Sequence, residues 1–307
     1  MRRRNDSAPP RVDSPSHPQH QPDVRGPLVL IGGACTPDGE ALSSFIDLAR
    51  EIGGPIVGIT AASENPAQSA RLWRTDFRKA GVQNIEFPRV KRDNERLDRE
   101  LAARIDDAAA VFLGGGNQVK LVAELSGSRA EVSLKALSAR GGVICGTSAG
   151  AAALTSLTMA GGEIDEEGNL VEQYLGPGFG LLDFETIVDT HFSKRRRLQR
   201  LFVVIAGNPE LLGLGIDEDT ALIVRGHVGE VVGAGGVTFV DGRDSVRFDN
   251  ADDLEKGRQL TLSHLRVGIV GTHYHLNLRE RELEVLVRGE ASPHRRTPPF
   301  TTAQSRD

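Results

Sequence analysis

One serine stands between glycines, in the sequence Gly146-Thr147-Ser148-Ala149-Gly150, and its setting points to nucleophilic chemistry. An apolar run precedes it and small residues follow, a pattern that predicts a strand, a sharp turn and a helix. The glycines let the backbone turn tightly, so the hydroxyl would stand clear at a helix N-terminus, where free N–H groups stabilise an oxyanion. We interpret Ser148 as a nucleophile, with a Gly/Ser-rich turn without chemistry as the alternative.

A serine nucleophile requires a base, and histidine suits that role because its pKa lies near neutral pH. We expect the base to be His191, which follows an apolar run from Phe184 to Val188 that predicts a buried strand. That strand should end at the sheet edge that carries Ser148. A structural histidine at a strand end is the alternative.

Three consecutive acids, Asp217, Glu218 and Asp219, end an apolar run and are candidates for the carboxylate that orients the base. Charge at the end of a buried strand is costly unless partners are present, so we expect one of the acids to face the site. Alternation along a strand places Glu218 on the opposite side from the other two. Spacing alone does not choose among them.

Arginines are concentrated just after His191, in the run Ser193-Lys194-Arg195-Arg196-Arg197-Leu198-Gln199-Arg200. We predict a helix with Ser193 as its N-cap, on which Arg197 and Arg200 share a face. Cations in the first helical turns oppose the helix dipole, and this local cost indicates a grip on a carboxylate-bearing substrate. A solvated cationic face or a nucleic-acid surface is the alternative. The formal net charge of −5 and the lack of interleaved aromatics argue against nucleic acid.

Other reactive side chains are weaker candidates. Cys145 lies inside the strand before Ser148, where a thiol is usually inert. His273 and His275 are predicted to share a strand face, but no nearby acid or cysteine completes a zinc ligand set, so no metal site is expected.

The two cysteines form no disulfide framework, which favours a cytoplasmic location. No apolar run is long enough to cross a bilayer, and no secretory signal is expected.

The 307 residues divide into a disordered tail over 1–26, a single α/β body over 27–290 and a flexible tail over 291–307. In the first half, apolar strands alternate with amphipathic helices, which predicts a mostly parallel sheet with helices on both faces. The helices are expected at 39–52, 66–80, 93–107, 117–125 and 129–140. The second half is richer in strands, expected at 213–217, 220–225, 228–234, 237–240 and 266–271, some of which should extend or flank the sheet.

Taken together, these segments resemble the serine peptidase family that contains the cyanophycinases and the aspartyl dipeptidases. The similarity spans about 28–224 and continues more weakly to about 280. The matching segments occur in the family's order: Leu28 to Ala34; Phe112-Leu113-Gly114-Gly115-Gly116-Asn117-Gln118; Gly146 to Ala152; Asp189-Thr190-His191-Phe192 with Arg195, Arg197 and Arg200; and Leu212 to Thr220.

The resemblance implies a three-layer, flavodoxin-like α/β fold akin to the class I glutamine amidotransferase domain, in a homodimer without metal or cofactor. It implies Ser148 as nucleophile, His191 as base and Glu218 as the orienting acid. The oxyanion hole would be formed by backbone N–H groups. The implied oxyanion-hole residues are Gly115, Gly116 and Ala149, and the implied substrate-binding residues are Gln118, Asp189, Thr190, Arg195, Arg197 and Arg200.

The activity implied is hydrolysis of cyanophycin, a poly-aspartate with arginine on each side-chain carboxyl, to β-Asp-Arg dipeptides through an acyl-enzyme. Free carboxylates of the polymer would meet the arginines, and its guanidinium groups would need acids such as Asp189. Thr190 and Asn117 depart from the family pattern, which has glutamine and aspartate there, so they bear on substrate identity. The alternatives are hydrolysis of short aspartyl peptides, or binding of an acidic polymer without catalysis.

Overall fold

The computed structural model describes residues 25–161, 163–164, 170–172, 174–182, 184–247 and 262–284. The predicted C-terminal tail and all but Arg25 and Gly26 of the predicted N-terminal tail lie outside these ranges. The helices of the described part are α1 (Glu40–Ile52), α2 (Pro66–Lys79), α3 (Glu95–Asp106), α4 (Gln118–Leu125), α5 (Arg129–Ala139), α6 (Ala149–Ala152) and α7 (Leu198–Gly207). Among them, none has the length and apolar character needed to span a bilayer.

The strands fall into two groups along the chain. The first half contains β1 (Leu28–Ile31), β2 (Ile56–Ile59), β3 (Ile85–Glu86), β4 (Ala110–Leu113), β5 (Val143–Thr147), β6 (Leu157–Met159), β7 (Glu163–Ile164), β8 (Leu170–Glu172) and β9 (Leu175–Pro177). The second half contains β10 (Thr186–Thr190), β11 (Leu212–Ile216), β12 (Thr220–Arg225), β13 (Val228–Gly233), β14 (Val237–Asp241), β15 (Val246–Arg247), β16 (Leu262–Ser263), β17 (Arg266–Val270), β18 (His275–Asn277) and β19 (Glu282–Glu284).

The central sheet has nine strands in the order β19-β18-β13-β12-β1-β5-β4-β2-β3. On one side of β1, the pairs β1-β5, β5-β4, β4-β2 and β2-β3 are parallel. On its other side, the pairs β1-β12, β12-β13, β13-β18 and β18-β19 are antiparallel. The expected alternation of strands and helices is therefore confirmed for the first half. The two sides of β1 contribute to separate cores, Leu30 to one that includes residues of α3 to α5 and Val29 to one that includes residues of α1 and α2. The flavodoxin-like name stays a prediction.

A second sheet of four strands, in the order β10-β11-β14-β17, carries two of the segments singled out by their sequence. Its first two strands pair in parallel and the others antiparallel. The strands predicted in the second half are confirmed to within one residue at each end. They divide between two sheets, however, because alternation identifies a strand but not its partner.

The sequence prediction was wrong in three local respects. The strand before His191 covers Thr186–Thr190 and not 184–188, so Asp189 and Thr190 lie within it and are buried. The next helix begins at Leu198 and not at Ser193, because the chain from 192 to 197 forms turns. His273 lies in a turn with φ of 67°, outside β18, so it does not share a strand face with His275.

Candidate active site

Ser148 lies on a sharp turn between β5 and α6, as its neighbours predict. Its φ of 52° and ψ of −116° are unusual for a residue with a side chain. Glycines make this turn possible, since a Cβ on Gly146 would lie 2.4 Å from the Gly150 backbone and one on Gly150 would lie 2.2 Å from the Leu113 carbonyl oxygen. The close approach of β5, α6 and β4 therefore depends on both glycines. The hydroxyl is left half-buried at the end of the central sheet.

Two hydrogen bonds join Ser148, His191 and Glu218. The hydroxyl oxygen of Ser148 lies 2.9 Å from Nε2 of His191, and Nδ1 of the same ring lies 2.7 Å from Oε1 of Glu218. A carboxylate is an acceptor, so Nδ1 carries the proton and Nε2 is left to accept from the hydroxyl. His191 follows β10 directly and has φ of 52°. The structure thus brings together the three residues that the resemblance implied.

The three consecutive acids have three different partners. Only Glu218 is bonded to the imidazole, whereas Asp217 accepts from the backbone N–H groups of Ser193 at 3.0 Å and Gly236 at 3.2 Å. Asp219 accepts from the backbone N–H of Thr36 at 3.1 Å and from its hydroxyl at 3.2 Å. The geometry therefore selects Glu218 as the acid that contacts the base, a choice that spacing left open. Asp217 and Asp219 instead bind the backbone of neighbouring loops.

Consecutive carbonyl groups at the end of β1 bind the backbone of all three segments. The carbonyl of Ile31 accepts from Ser148 N–H at 2.9 Å, and that of Gly32 accepts from His191 N–H at 2.7 Å. The carbonyl of Gly33 accepts from the N–H of Asp219, next to Glu218, at 2.9 Å. Gly32 and Gly33 belong to the segment Leu28 to Ala34 that matches the family, but the resemblance implies no role for them. Two glycines directly after a buried strand were the available signal.

Of the predicted oxyanion donors, Gly115 lies beside the hydroxyl. A Cβ on Gly115 would lie 3.2 Å from Cβ of Ser148 and 3.7 Å from its Oγ, so this loop packs directly against the serine. Gly116 has φ of 140°, and a Cβ there would lie 2.2 Å from the carbonyl oxygen of Ala62. Ala149 is the first residue of α6. Their role as hydrogen-bond donors to an oxyanion stays a prediction.

Asp189 is bonded to the chain's own arginines. Its carboxylate accepts from Nη1 of Arg197 at 2.8 Å and from Nη2 and Nε of Arg200 at 2.6 and 3.0 Å. Arg197 also donates to the carbonyl of Thr190 at 2.9 Å, one residue before His191. Only 2% of Asp189 is exposed. Burial lowers the pKa of the Arg197 guanidinium, although the carboxylate opposes that shift. Contact of Asp189 with a substrate guanidinium would require its release from these arginines.

Comparison with known sequences places this site in a family. The model of peptidase family S51 matches residues 28–232. The chain belongs to peptidase family S51. Cyanophycinase of Synechococcus elongatus is 33% identical over 279 residues, which cover 89% of this chain and 86% of that protein. Cyanophycinase of Trichormus variabilis is 32% identical over 278 residues, which cover 88% of this chain and 92% of that protein. The chain is therefore a serine-type peptidase.

A solved structure agrees with the fold of this S51 peptidase. The crystal structure of a peptidase from an acI-B1 Actinobacterium superposes with a TM-score of 0.57 and 23% sequence identity. The match covers 72% of this chain and 93% of that one. At this identity the likeness concerns the fold alone.

The remaining residues predicted to bear on substrate binding have contacts of their own in the S51 peptidase. Gln118 donates through Nε2 to the carbonyl of Met159, and Asn117 caps α4 by accepting from Lys120 N–H at 3.2 Å. Arg195 is exposed, and its backbone N–H donates to the carbonyl of His191 at 3.0 Å. Thr190 is buried. Binding of a substrate by these residues stays a prediction.

Neither thiol of the S51 peptidase is a competing nucleophile. Burial raises the pKa of Cys145 well above its usual value and that of Cys35 to about 11, so both stay protonated at neutral pH. Across the described ranges, no group of three or more His, Cys, Asp and Glu side chains is arranged to hold a metal ion.

Proposed function

We propose that this S51 peptidase hydrolyses cyanophycin to β-Asp-Arg dipeptides, with Ser148 as nucleophile, His191 as base and Glu218 as the acid that orients the base. The observation that carries the proposal is the hydrogen-bonded chain from Ser148 through His191 to Glu218. The substrate is suggested by the relatives named cyanophycinase, which align over most of this chain. The homodimer and the cytoplasmic location stay predictions.

The reaction begins with attack of the Ser148 oxygen on the carbonyl of a peptide bond in the poly-aspartate backbone, while Nε2 of His191 takes the hydroxyl proton. Glu218 keeps the Nδ1 proton and stabilises the imidazolium that forms. The carbonyl oxygen, now an oxyanion, accepts from the N–H groups of Ala149 and of Gly115 or Gly116. The tetrahedral intermediate collapses, and the leaving amine takes the proton from Nε2. Water, activated by the same nitrogen, then hydrolyses the ester and restores Ser148.

The surface beside the base suits a substrate that carries carboxylates. Lys194, Arg195 and Arg196 are exposed in the turn that follows His191, so their charges face solvent. Arginine recognises carboxylates through paired, charge-assisted hydrogen bonds. A polymer with free carboxylates would be drawn to this segment and held with a peptide carbonyl near Ser148.

A second candidate is hydrolysis of short aspartyl peptides. It is favoured by the engagement of Asp189 with Arg197 and Arg200, because that carboxylate is not available to bind an arginine side chain of cyanophycin. Thr190 is also shorter than the glutamine of the family pattern and is buried within β10. Both observations concern the substrate side chain and leave the hydrolytic chemistry unchanged.

Mass spectrometry of products separates these candidates. Wild-type enzyme and the Ser148→Ala variant are incubated with cyanophycin, with a β-aspartyl dipeptide and with an α-aspartyl dipeptide. We expect β-Asp-Arg from cyanophycin with the wild type and no product with the variant. Cleavage of dipeptides alone would favour the second candidate. Equal turnover by the variant would reject Ser148 as nucleophile, and no turnover of any substrate would reject both candidates.

A further inference from the structure

The imidazole of His191 packs against a position where only hydrogen fits. Gly33 has φ of 102°, and a Cβ built there would lie 2.3 Å from Cε1, 2.4 Å from Nε2 and 3.0 Å from Nδ1 of the ring. Ordinary van der Waals contacts begin at 3.4 Å. The N–C–N edge of the ring therefore occupies the space of the missing side chain.

The ring has little freedom to yield to a side chain. Its two nitrogens are bonded to Ser148 and Glu218, so movement away from Gly33 lengthens one or both bonds. Its backbone is fixed as well, because the N–H of His191 donates to the carbonyl of Gly32 at 2.7 Å. Gly33 itself is fixed through its carbonyl, which accepts from Asp219. Hydrogen bonds therefore fix both partners of the contact, the His191 ring and the Gly33 backbone.

We propose that Gly33 is a positioning residue for the base: by having no side chain, it sets the plane and depth at which the His191 ring meets the Ser148 hydroxyl. The inference rests on the proposed function only in giving His191 the role of base. It holds whichever peptide is cleaved. Gly33 touches no reacting atom of the substrate and acts through the imidazole.

The test is the Gly33→Ala variant, in which the ring must move by about 1 Å to restore an ordinary contact. A displacement of that size costs about 10²-fold in rate when it affects a catalytic group. Alanine at positive φ also strains the backbone, so the control must carry the same strain without the contact. Gly141 is matched, because its φ is 92° and no atom lies within 4 Å of a Cβ built there.

The rate at which a fluorophosphonate labels Ser148 measures how well His191 acts as base. This measurement does not depend on the identity of the natural substrate. Attack of the Ser148 oxygen on phosphorus expels fluoride, and His191 takes the proton. We expect Gly33→Ala to be labelled about 10²-fold more slowly than wild type, and Gly141→Ala to be labelled at nearly the wild-type rate. The far-downfield NMR signal of the His191 Nδ1 proton should shift or disappear in Gly33→Ala alone. Equal labelling of both variants, with the signal retained, would overturn the inference.

A stability comparison keeps the proposal testable if Gly33→Ala does not fold. Without the ring the added methyl has room, so Gly33→Ala should be tolerated better in a His191→Ala background than in the wild type. Failure of the double variant to fold would mean that the ring is not the obstacle, and would reject the inference. Labelled wild-type enzyme that cleaves no aspartyl peptide would reject the proposed substrate only. Wild-type enzyme that is not labelled at all would reject the role of His191 on which this inference depends.

Discussion

Two clusters, each of one buried aspartate and two arginines, lie in different parts of the molecule. The site cluster consists of Asp189, Arg197 and Arg200, and the hairpin cluster consists of Asp241, Arg243 and Arg281. In the site cluster the arginines lie 8 and 11 residues after the aspartate, whereas Arg281 lies 40 residues after Asp241. The site cluster therefore stabilises a local turn, whereas the hairpin cluster joins segments that are far apart in the sequence.

The hairpin cluster joins the two sheets. Asp241 ends β14 of the second sheet, and Arg281 lies in the turn between β18 and β19 of the central sheet. Their ion pair measures 2.7 Å, and both side chains are buried. Burial raises the pKa of Asp241, but hydrogen bonds from Arg243 and Arg281 outweigh it and hold the pKa below its ordinary value. This cluster lies outside the proposed catalytic residues, so we expect it to affect stability and not catalysis.

The site cluster differs because it reaches the base through the backbone. Arg197 bridges Asp189 and the carbonyl of Thr190, the residue before His191. The difference between the clusters shows that a buried ion pair affects activity only when the backbone beside it positions a catalytic residue. Disruption of the site cluster should therefore reduce both activity and stability.

The largest effect is expected for Asp189→Asn. Two mostly buried guanidinium groups would lose their carboxylate, and breaking one buried ion pair typically costs about 3–5 kcal/mol. We also expect kcat/KM to fall by about 10²-fold, since the segment that holds His191 would shift. The measurements are urea unfolding and hydrolysis of two aspartyl peptides, one with and one without arginine on its side-chain carboxyls. A loss confined to the arginine peptide, through KM, would instead show direct contact of Asp189 with the substrate.

Asp241→Asn is the matched change in the hairpin cluster. Since Arg281 is 7% exposed in its side chain, removal of the charge should again cost about 3 kcal/mol of unfolding free energy. The value of kcat/KM should stay within about twofold of wild type, because within the described ranges the contacts of this cluster include none with Ser148, His191 or Glu218. Urea unfolding and steady-state assays on the same preparation check this. A parallel loss of activity would break the contrast between the clusters.

The pH dependence of the Asp241→Asn effect sharpens the same contrast. A carboxyl whose pKa is lower in the folded than in the unfolded chain stabilises the fold at pH values above its ordinary pKa, here 3.8. That stabilisation is lost as the pH falls through the folded-state pKa. The difference in unfolding free energy between wild type and variant should be full near pH 7 and should narrow below about pH 4. A difference independent of pH would show that the charge of Asp241 is not its cause.

The smallest effect is expected for Arg243→Ala. Its side chain is 46% exposed, and exposed ion pairs typically contribute about 0–1 kcal/mol. Arg281→Ala should cost several times more, because it leaves Asp241 without its buried partner. Unfolding curves of the two variants, measured side by side, test the ranking. Equal costs would mean that burial does not decide the strength of these pairs.

Much of the fold was predictable because its first half is made of apolar strands and amphipathic helices. Burial of both faces of the parallel strands produces continuous apolar runs, as in Leu28–Ile31, and these are easily located. The start of α7 was not predictable from the Ser193 cap signal, because Asp217 binds the Ser193 N–H and Arg196 has φ of 52°. Both causes depend on tertiary contacts, which the helix propensities of neighbouring residues do not predict.

The site was predictable in its residue types but not in its partners. Glycines around Ser148 and a histidine after a strand indicated a nucleophile and a base. The sequence did not reveal that Asp189 pairs with the arginines, because the pairing depends on a turn between β10 and α7. The contact between Gly33 and the His191 ring was likewise hidden, since 158 residues separate the two positions in the sequence.

The central claim is that Ser148 becomes covalently acylated during turnover. Rapid quenching of wild-type enzyme during turnover of cyanophycin, followed by digestion and mass spectrometry, tests it directly. We predict an aspartyl ester on the fragment that contains Ser148, and no adduct or turnover in Ser148→Ala. Turnover by that variant, or an adduct on another side chain such as Cys145, would contradict the account.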